Sequence, residues 1–299
     1  MFKQGFVFVA GRKTAVSLLM ALFSLPAIAA SLPIDDDFES GKIKFGTYYT
    51  ASGNPPTIST EEARSGSYSM KSYLNRATSP VSKRTEVSVK SPLTHMGEEW
   101  WYGFSIFLPK SFVPGSVWES LAQWHNTPND WNELLARDNP PLFLATMKGD
   151  IPNGHWSVAL AWDSDPVASD GSFKLDGSRT WDLGAWETDQ WTDWVFRIRW
   201  SYGSDGILQI WKNGVMVVNY TGPNTYNDKI GPYFKVGIYK GWKDRKVPED
   251  TVSERVVFHD DIRVGMGTDL YSAVAPPGSK GDPVSGQAKP KAPVSVVVE

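Results

Sequence analysis

Apolar and polar residues alternate in short runs along most of this chain, and no long stretch sustains a 3.6-residue period. That pattern excludes a helical bundle and predicts strands, clearest at 84–90, 100–108, 156–162, 194–200, 207–212, 215–220, 233–240 and 255–264. Asn213-Gly214 supplies the positive φ angles of a two-residue hairpin turn, and Ser204-Asp205-Gly206 marks another turn. Many short antiparallel strands within one domain predict an all-β jelly roll, a concanavalin-like sandwich of two antiparallel sheets.

The ends differ from this body. Lys3, Arg12 and Lys13 precede an apolar run at 15–25, and Ala27-Ile28-Ala29 follows as a small-x-small cleavage signal. Residues 1–30 therefore predict a secretory signal peptide, too short in its apolar part to span a bilayer, so the chain is expected to be secreted or periplasmic. Residues 31–268 form the expected jelly-roll domain, and the Pro/Gly/Lys-rich stretch 269–299 is expected to be a disordered tail. Two stretches, 126–141 and 163–190, lack alternation and are expected to be long loops near a cleft.

Composition narrows the function. The chain has no cysteine, which removes a thiol nucleophile and a zinc–thiolate site and leaves stability to core burial. Its 30 Lys+Arg against 33 Asp+Glu do not give the basic surface that nucleic acid requires. Fourteen tryptophans are many; most belong in the core, and an exposed one offers a flat face to a sugar ring.

Three segments carry candidate chemistry. In Arg84-Thr85-Glu86-Val87-Ser88-Val89, strand alternation puts Arg84, Glu86 and Ser88 on one face and the apolar set on the other. In Gln123-Trp124-His125-Asn126, Gln123 and His125 point the same way, and histidine is the natural base near neutral pH. In the segment 233–239, Tyr233, Lys235, Gly237 and Tyr239 share a face, and a glycine inside a strand invites a sugar ring to lie over it.

This inventory suits β-elimination at a uronic acid. One group must neutralise the carboxylate, a base must take the C5 proton, and an acid must protonate the departing O4. Arg84, Gln123, His125, Lys235 and Tyr239 supply these roles without a cofactor. A jelly-roll glycoside hydrolase needs two spaced carboxylates on one strand, which are not found here. A non-catalytic sugar-binding module would explain the tryptophans but not the polar groups on coherent faces.

The same three segments, in the same order, resemble the motif set of the jelly-roll polysaccharide lyases. In the alginate lyases of that fold the pattern reads Arg-Ser/Thr-Glu-Leu, Gln-Ile/Val-His and Tyr-Phe-Lys-Ala-Gly-Val/Ile-Tyr. The Gln-Trp-His and the Pro-rich loop after it are more similar to the heparin-lyase-I-like and glucuronan lyase branch. The resemblance covers about 36–264 and implies a lyase acting on glucuronan, alginate or a heparin-like glycan. It implies His125 as base and Tyr239 as acid, or Tyr239 as both with some substrates, and Gln123 with Arg84 at the carboxylate.

Lys235, Tyr233, Glu86, Trp124, Lys240 and Asn126 are the residues expected to bind substrate, with Lys243, Arg245 and Lys246 extending a basic cluster from Lys240. Members of the fold often hold a structural calcium. Asp36, Glu39 and Asp261, from the two ends of the domain, are the candidate ligands for one. The chain is expected to act as a monomer on an acidic polysaccharide, with no nucleic-acid or membrane partner.

Overall fold

The computed structural model describes residues 32–50, 55–76, 84–89, 92–129, 139–147, 151–166, 175–242, 250–279 and 295–296. Two antiparallel sheets face each other. The back sheet runs β13 (Val215–Thr221), β12 (Ile207–Lys212), β11 (Trp191–Arg199), β6 (Glu99–Phe107), β15 (Glu254–Met266), β4 (Ser69–Asn75) and β3 (Thr57–Ser59), with β1 (Ile34–Asp36) also on β15. The front sheet runs β16 (Ser295–Val296), β10 (Gly177–Ala185), β9 (His155–Trp162), β8 (Leu142–Met147), β7 (Glu119–Thr127), β14 (Ile230–Lys240), β5 (Arg84–Val89) and β2 (Thr47–Thr50).

The inward residues of both sheets form one core. Trp124 and Phe234 of the front sheet meet Phe104 and Phe196 of the back sheet, with ring centroids 4.5–5.6 Å apart. Among the described residues eight tryptophans are buried, in keeping with their number in the sequence. Asn213 and Gly214 both have positive φ, 50° and 78°, and close the β12–β13 hairpin.

Two expectations change. The stretch 163–190 is not one long loop, because residues 177–185 pair with β9 as a nine-residue strand. Polar residues facing outward obscure its alternation. Packed chain also continues past residue 268. The short helix α1 (Tyr271–Val274) lies with Leu270 on Trp101, Val195 and Trp211, on the outward side of the back sheet. Gly103 permits that approach, since a Cβ there would sit 1.8 Å from the carbonyl oxygen of Val274. Ser279 then donates its hydroxyl to Asp193 at 2.7 Å. The expected signal peptide and most of the tail lie outside the described residues, and among the described residues no helix is long and apolar enough to cross a membrane.

Candidate functional site

β14 lies between β7 and β5, and this order brings the three singled-out segments together. Residues directly opposite in a ladder share a face. His125 stands opposite Tyr233, Gln123 opposite Lys235, Ser88 opposite Lys235 from the other side, Glu86 opposite Gly237, and Arg84 opposite Tyr239. Val236, Ile238, Val87 and Phe234 on the alternate positions fill the core. The polar set therefore lies on the front sheet's outward face.

The row has three parts. At one end the rings of His125 and Tyr233 stack, with centroids 5.4 Å apart and planes 30° from parallel. His125 Nδ1 lies 3.1 Å from the carbonyl oxygen of Asn126, which can only accept. In the neutral ring Nδ1 thus carries the hydrogen and Nε2 the lone pair. In the middle, the Gln123 amide nitrogen donates to Glu86 Oε1, and Lys235 Nζ sits 5.1 Å from the centre of the Tyr233 ring. Gln123, Glu86 and Lys235 are each at most 2% exposed. Burial pushes the Glu86 carboxyl up, against the opposing pull of Lys235, the Gln123 bond and Arg84. At the other end the Arg84 guanidinium lies 5.8 Å from the centre of the Tyr239 ring, and Trp118 meets that ring edge-on at 5.0 Å.

His125 and Tyr239 close opposite ends of this row. On β7, His125 and Ser120, the register partner of Tyr239, are five positions apart, or roughly 15 Å of strand. Tyr233 is a phenol in ring contact with His125.

Bulges set the spacing. Between Val236 and Tyr239 the register against β7 shifts, and β7 shifts again against β8. Leu121 and Ala122 consequently both enter the core, and Ser120 becomes the partner of Tyr239. Gly237 takes part in this with φ 135°. A Cβ on it would lie 2.2 Å from the Thr85 carbonyl oxygen and 2.7 Å from Glu86 Cα. The glycine is thus required by the neighbouring strand and the bulge, which corrects the expectation that it makes room for a sugar.

Other expectations for the site are also corrected. Trp124 cannot stack on a sugar, because it is fully buried between Tyr102, Phe196 and Phe234. Asn126 shares its strand parity and is fully buried. Lys240 is also fully buried, on the side opposite Tyr239, and pairs with Asp250 at 2.7 Å and Glu119 at 3.1 Å. It cannot reach a polyanion. Lys243, Arg245 and Lys246 lie outside the described residues.

The candidate calcium ligands each accept hydrogen bonds within the protein, and Glu39 and Asp261 both do so from the 65–68 segment. Asp36 accepts from the backbone of Phe38 and Lys44, Glu39 from the backbone of Ser67 and Tyr68, and Asp261 from Ser65 and Arg263. Among the described residues no three acidic or histidine side chains are grouped to hold a metal, and Asp261 Oδ2 is buried without a hydrogen-bond partner. Sequence reasoning misses Trp118. Its only signal is its place two residues before Ser120, next to a strand whose start the alternation does not mark.

Residues 38–263 match one family model, described as polysaccharide lyase. No curated protein matches the sequence. Among solved structures, the endo-β-1,4-glucuronan lyase of the fungus Trichoderma reesei is 20% identical at a TM-score of 0.67, covering 83% of this chain and 99% of that one. The alginate lyase AlyC3 is 15% identical at a TM-score of 0.45, covering 66% and 75%. The marine PL-14 alginate lyase of Aplysia kurodai is 10% identical at 0.47, covering 74% and 90%. The first of these shares the two-sheet fold.

Proposed function

The chain belongs to the polysaccharide lyase family, and on that premise we propose that it cleaves a uronic-acid-containing polysaccharide by β-elimination, leaving a 4,5-unsaturated uronate end. One observation carries this reading. Segments up to 155 residues apart in sequence set an imidazole, an amide, an ammonium, a guanidinium and two phenols on one face of three adjacent strands.

The sugar at the point of cleavage lies over Gln123 and Lys235, which draw charge from its carboxylate and acidify the C5 proton. His125 Nε2 takes that proton. The C5 electrons form the C4–C5 double bond, the C4–O4 bond breaks, and O4 takes the proton of Tyr239. The base must reach the C5 proton and the acid O4, on adjacent carbons of one ring, so the side chains of His125 and Tyr239 must converge on it from either end of the Gln123–Lys235 pair. Arg84 beside Tyr239 holds a carboxylate of the chain. The ring contact between His125 and Tyr233 favours a second assignment, in which Tyr233 is the acid.

The T. reesei structure is of a glucuronan lyase, so glucuronan is the first polymer to test, followed by alginate and heparin-like glycans. The enzyme acts after export, as a monomer, on this acidic polymer. Cleavage produces ultraviolet absorbance from the conjugated double bond. His125→Ala is expected to reduce it by about 10²–10⁴-fold. Tyr239→Phe should match that loss while Tyr233→Phe retains most activity; the reverse order assigns the acid to Tyr233. Reducing ends without ultraviolet absorbance would overturn the elimination.

A further inference from the structure

Gln123 is oriented in a way that conflicts with its role at the substrate carboxylate. Its amide nitrogen donates to Glu86 Oε1, while its own Oε1 is buried with no hydrogen-bond partner among the described residues. Glu86 Oε2 is buried and lacks a partner in the same sense. An amide in this orientation offers its second polar position as a carbonyl oxygen. A uronate carboxylate has only acceptors, so the two would repel. The amide can present its nitrogen there only if it turns over, and its oxygen then needs a donor from Glu86. An ionised carboxylate has none; a protonated one does.

We propose that Glu86 is a positioning residue that takes up a proton when the uronate carboxylate binds, turning the Gln123 amide so that its nitrogen faces the sugar. The inference rests on the elimination reading and adds to it a coupling between binding and protonation. The proton comes from solvent; the Glu86 O–H donates to Gln123 Oε1, and Gln123 Nε2 donates to the substrate.

The charged surroundings make this step accessible. Lys235 on β14 and Arg84 on β5 are the cations acting on Glu86, Gln123 on β7 is neutral, and Tyr49 is the register partner of Glu86 on β2. Burial already raises the Glu86 carboxyl above the ordinary range. A second carboxylate brought beside it raises it further, because two like charges in a dry site cannot both remain ionised at low cost.

Isothermal titration in two buffers of different ionisation enthalpy tests this. The probes are unsaturated glucuronate and alginate trisaccharides, added to the His125→Ala variant so that nothing is cleaved. Uptake close to one proton per bound trisaccharide is expected, falling to none in His125→Ala with Glu86→Gln, whose amide donates permanently. In the otherwise native enzyme, KM should rise with pH by up to about tenfold per unit above the Glu86 titration, and Glu86→Gln should flatten that slope. Ultraviolet-absorbing product with no proton uptake, or an unchanged KM slope in Glu86→Gln, overturns the coupling and leaves the elimination standing. No ultraviolet-absorbing product from any uronate polymer overturns the elimination and the coupling with it.

Discussion

His259 Nε2 donates to the carbonyl oxygen of Leu121, 3.0 Å away, across the gap between the two sheets. Leu121 sits where β7 shifts register, between Gln123 and Ser120. A residue of the back sheet thereby satisfies the backbone of the irregularity that spaces the candidate site. The ring is fully buried, and desolvation pushes it down to about 4 against the opposing effect of the Leu121 bond. It is neutral at neutral pH.

Acid should act through this histidine. Its folded value lies below the ordinary one of 6.5, so its contribution to stability is full above about 6.5 and is lost as pH falls toward 4. His259→Leu leaves the Leu121 carbonyl without its donor and should cost about 1–3 kcal/mol at pH 7. Thermal melts from pH 4 to 7 should show a weaker acid-side decline in the variant, together with a lower kcat from the loosened bulge.

The next residue titrates in the opposite sense. Asp260 is pushed up to about 7 by burial first and by Asp261, against backbone bonds from Arg64, Asp261 and Ser65. Below about 3.8 both folded and unfolded forms are protonated, so its contribution is full there and is lost as pH rises toward 7. Asp260→Asn should remove that decline. It also turns one acceptor into a donor facing a backbone N–H, at a cost of about 1 kcal/mol. Melting curves of the two proteins across pH 4–8 check the slope.

Lys240 should prove structural. With Arg255 it neutralises Glu119 and Asp250 in a buried cluster, and Trp242 also donates to Asp250 at 2.6 Å. Desolvation works against the charge of Asp250, yet the bonds from Lys240, Ser116 and Trp242 hold it down at about 2. Its contribution is therefore present above about 3.8 and lost as pH falls toward 2. Lys240→Met should lower unfolding free energy by roughly 3–5 kcal/mol, read from the denaturant midpoint. KM for the polymer, measured on folded protein, should be unchanged, whereas a true substrate contact would raise it.

Gly237→Ala should be poorly tolerated for a backbone reason. The added methyl meets the Thr85 carbonyl, and φ 135° is strained for any other residue. A loss of about 1–3 kcal/mol is expected, with lower expression and activity together. Normal stability with lost activity would instead return the glycine to a role in sugar contact.

Much of the candidate site is legible one residue at a time. Alternation in 233–239 puts Tyr233, Lys235 and Tyr239 on one face, and the structure keeps them there. The same rule turns Trp124 away from the face of Gln123 and His125, so alternation alone argues against a role for it in binding. Lys240 misleads because a basic residue beside a motif looks like a polyanion contact. Only the buried carboxylates 119 and 250, distant in sequence from one another, show otherwise. β10 escapes a sequence reading because its outward half is polar and its alternation short.

The sequence by itself determined which face each side chain takes, since a strand's period of two is a local property set by sterics along the backbone. It also marked the turns where glycine and asparagine must stand, as at Asn213-Gly214. Tertiary structure alone decided which strands became neighbours and in what register. Glu86, Gln123 and Lys235 meet because β14 inserts between β5 and β7, and His125 stands apart from Tyr239 because the ladder and its bulges put them at opposite ends of one row. Register depends on packing between distant segments, which no local repeat encodes.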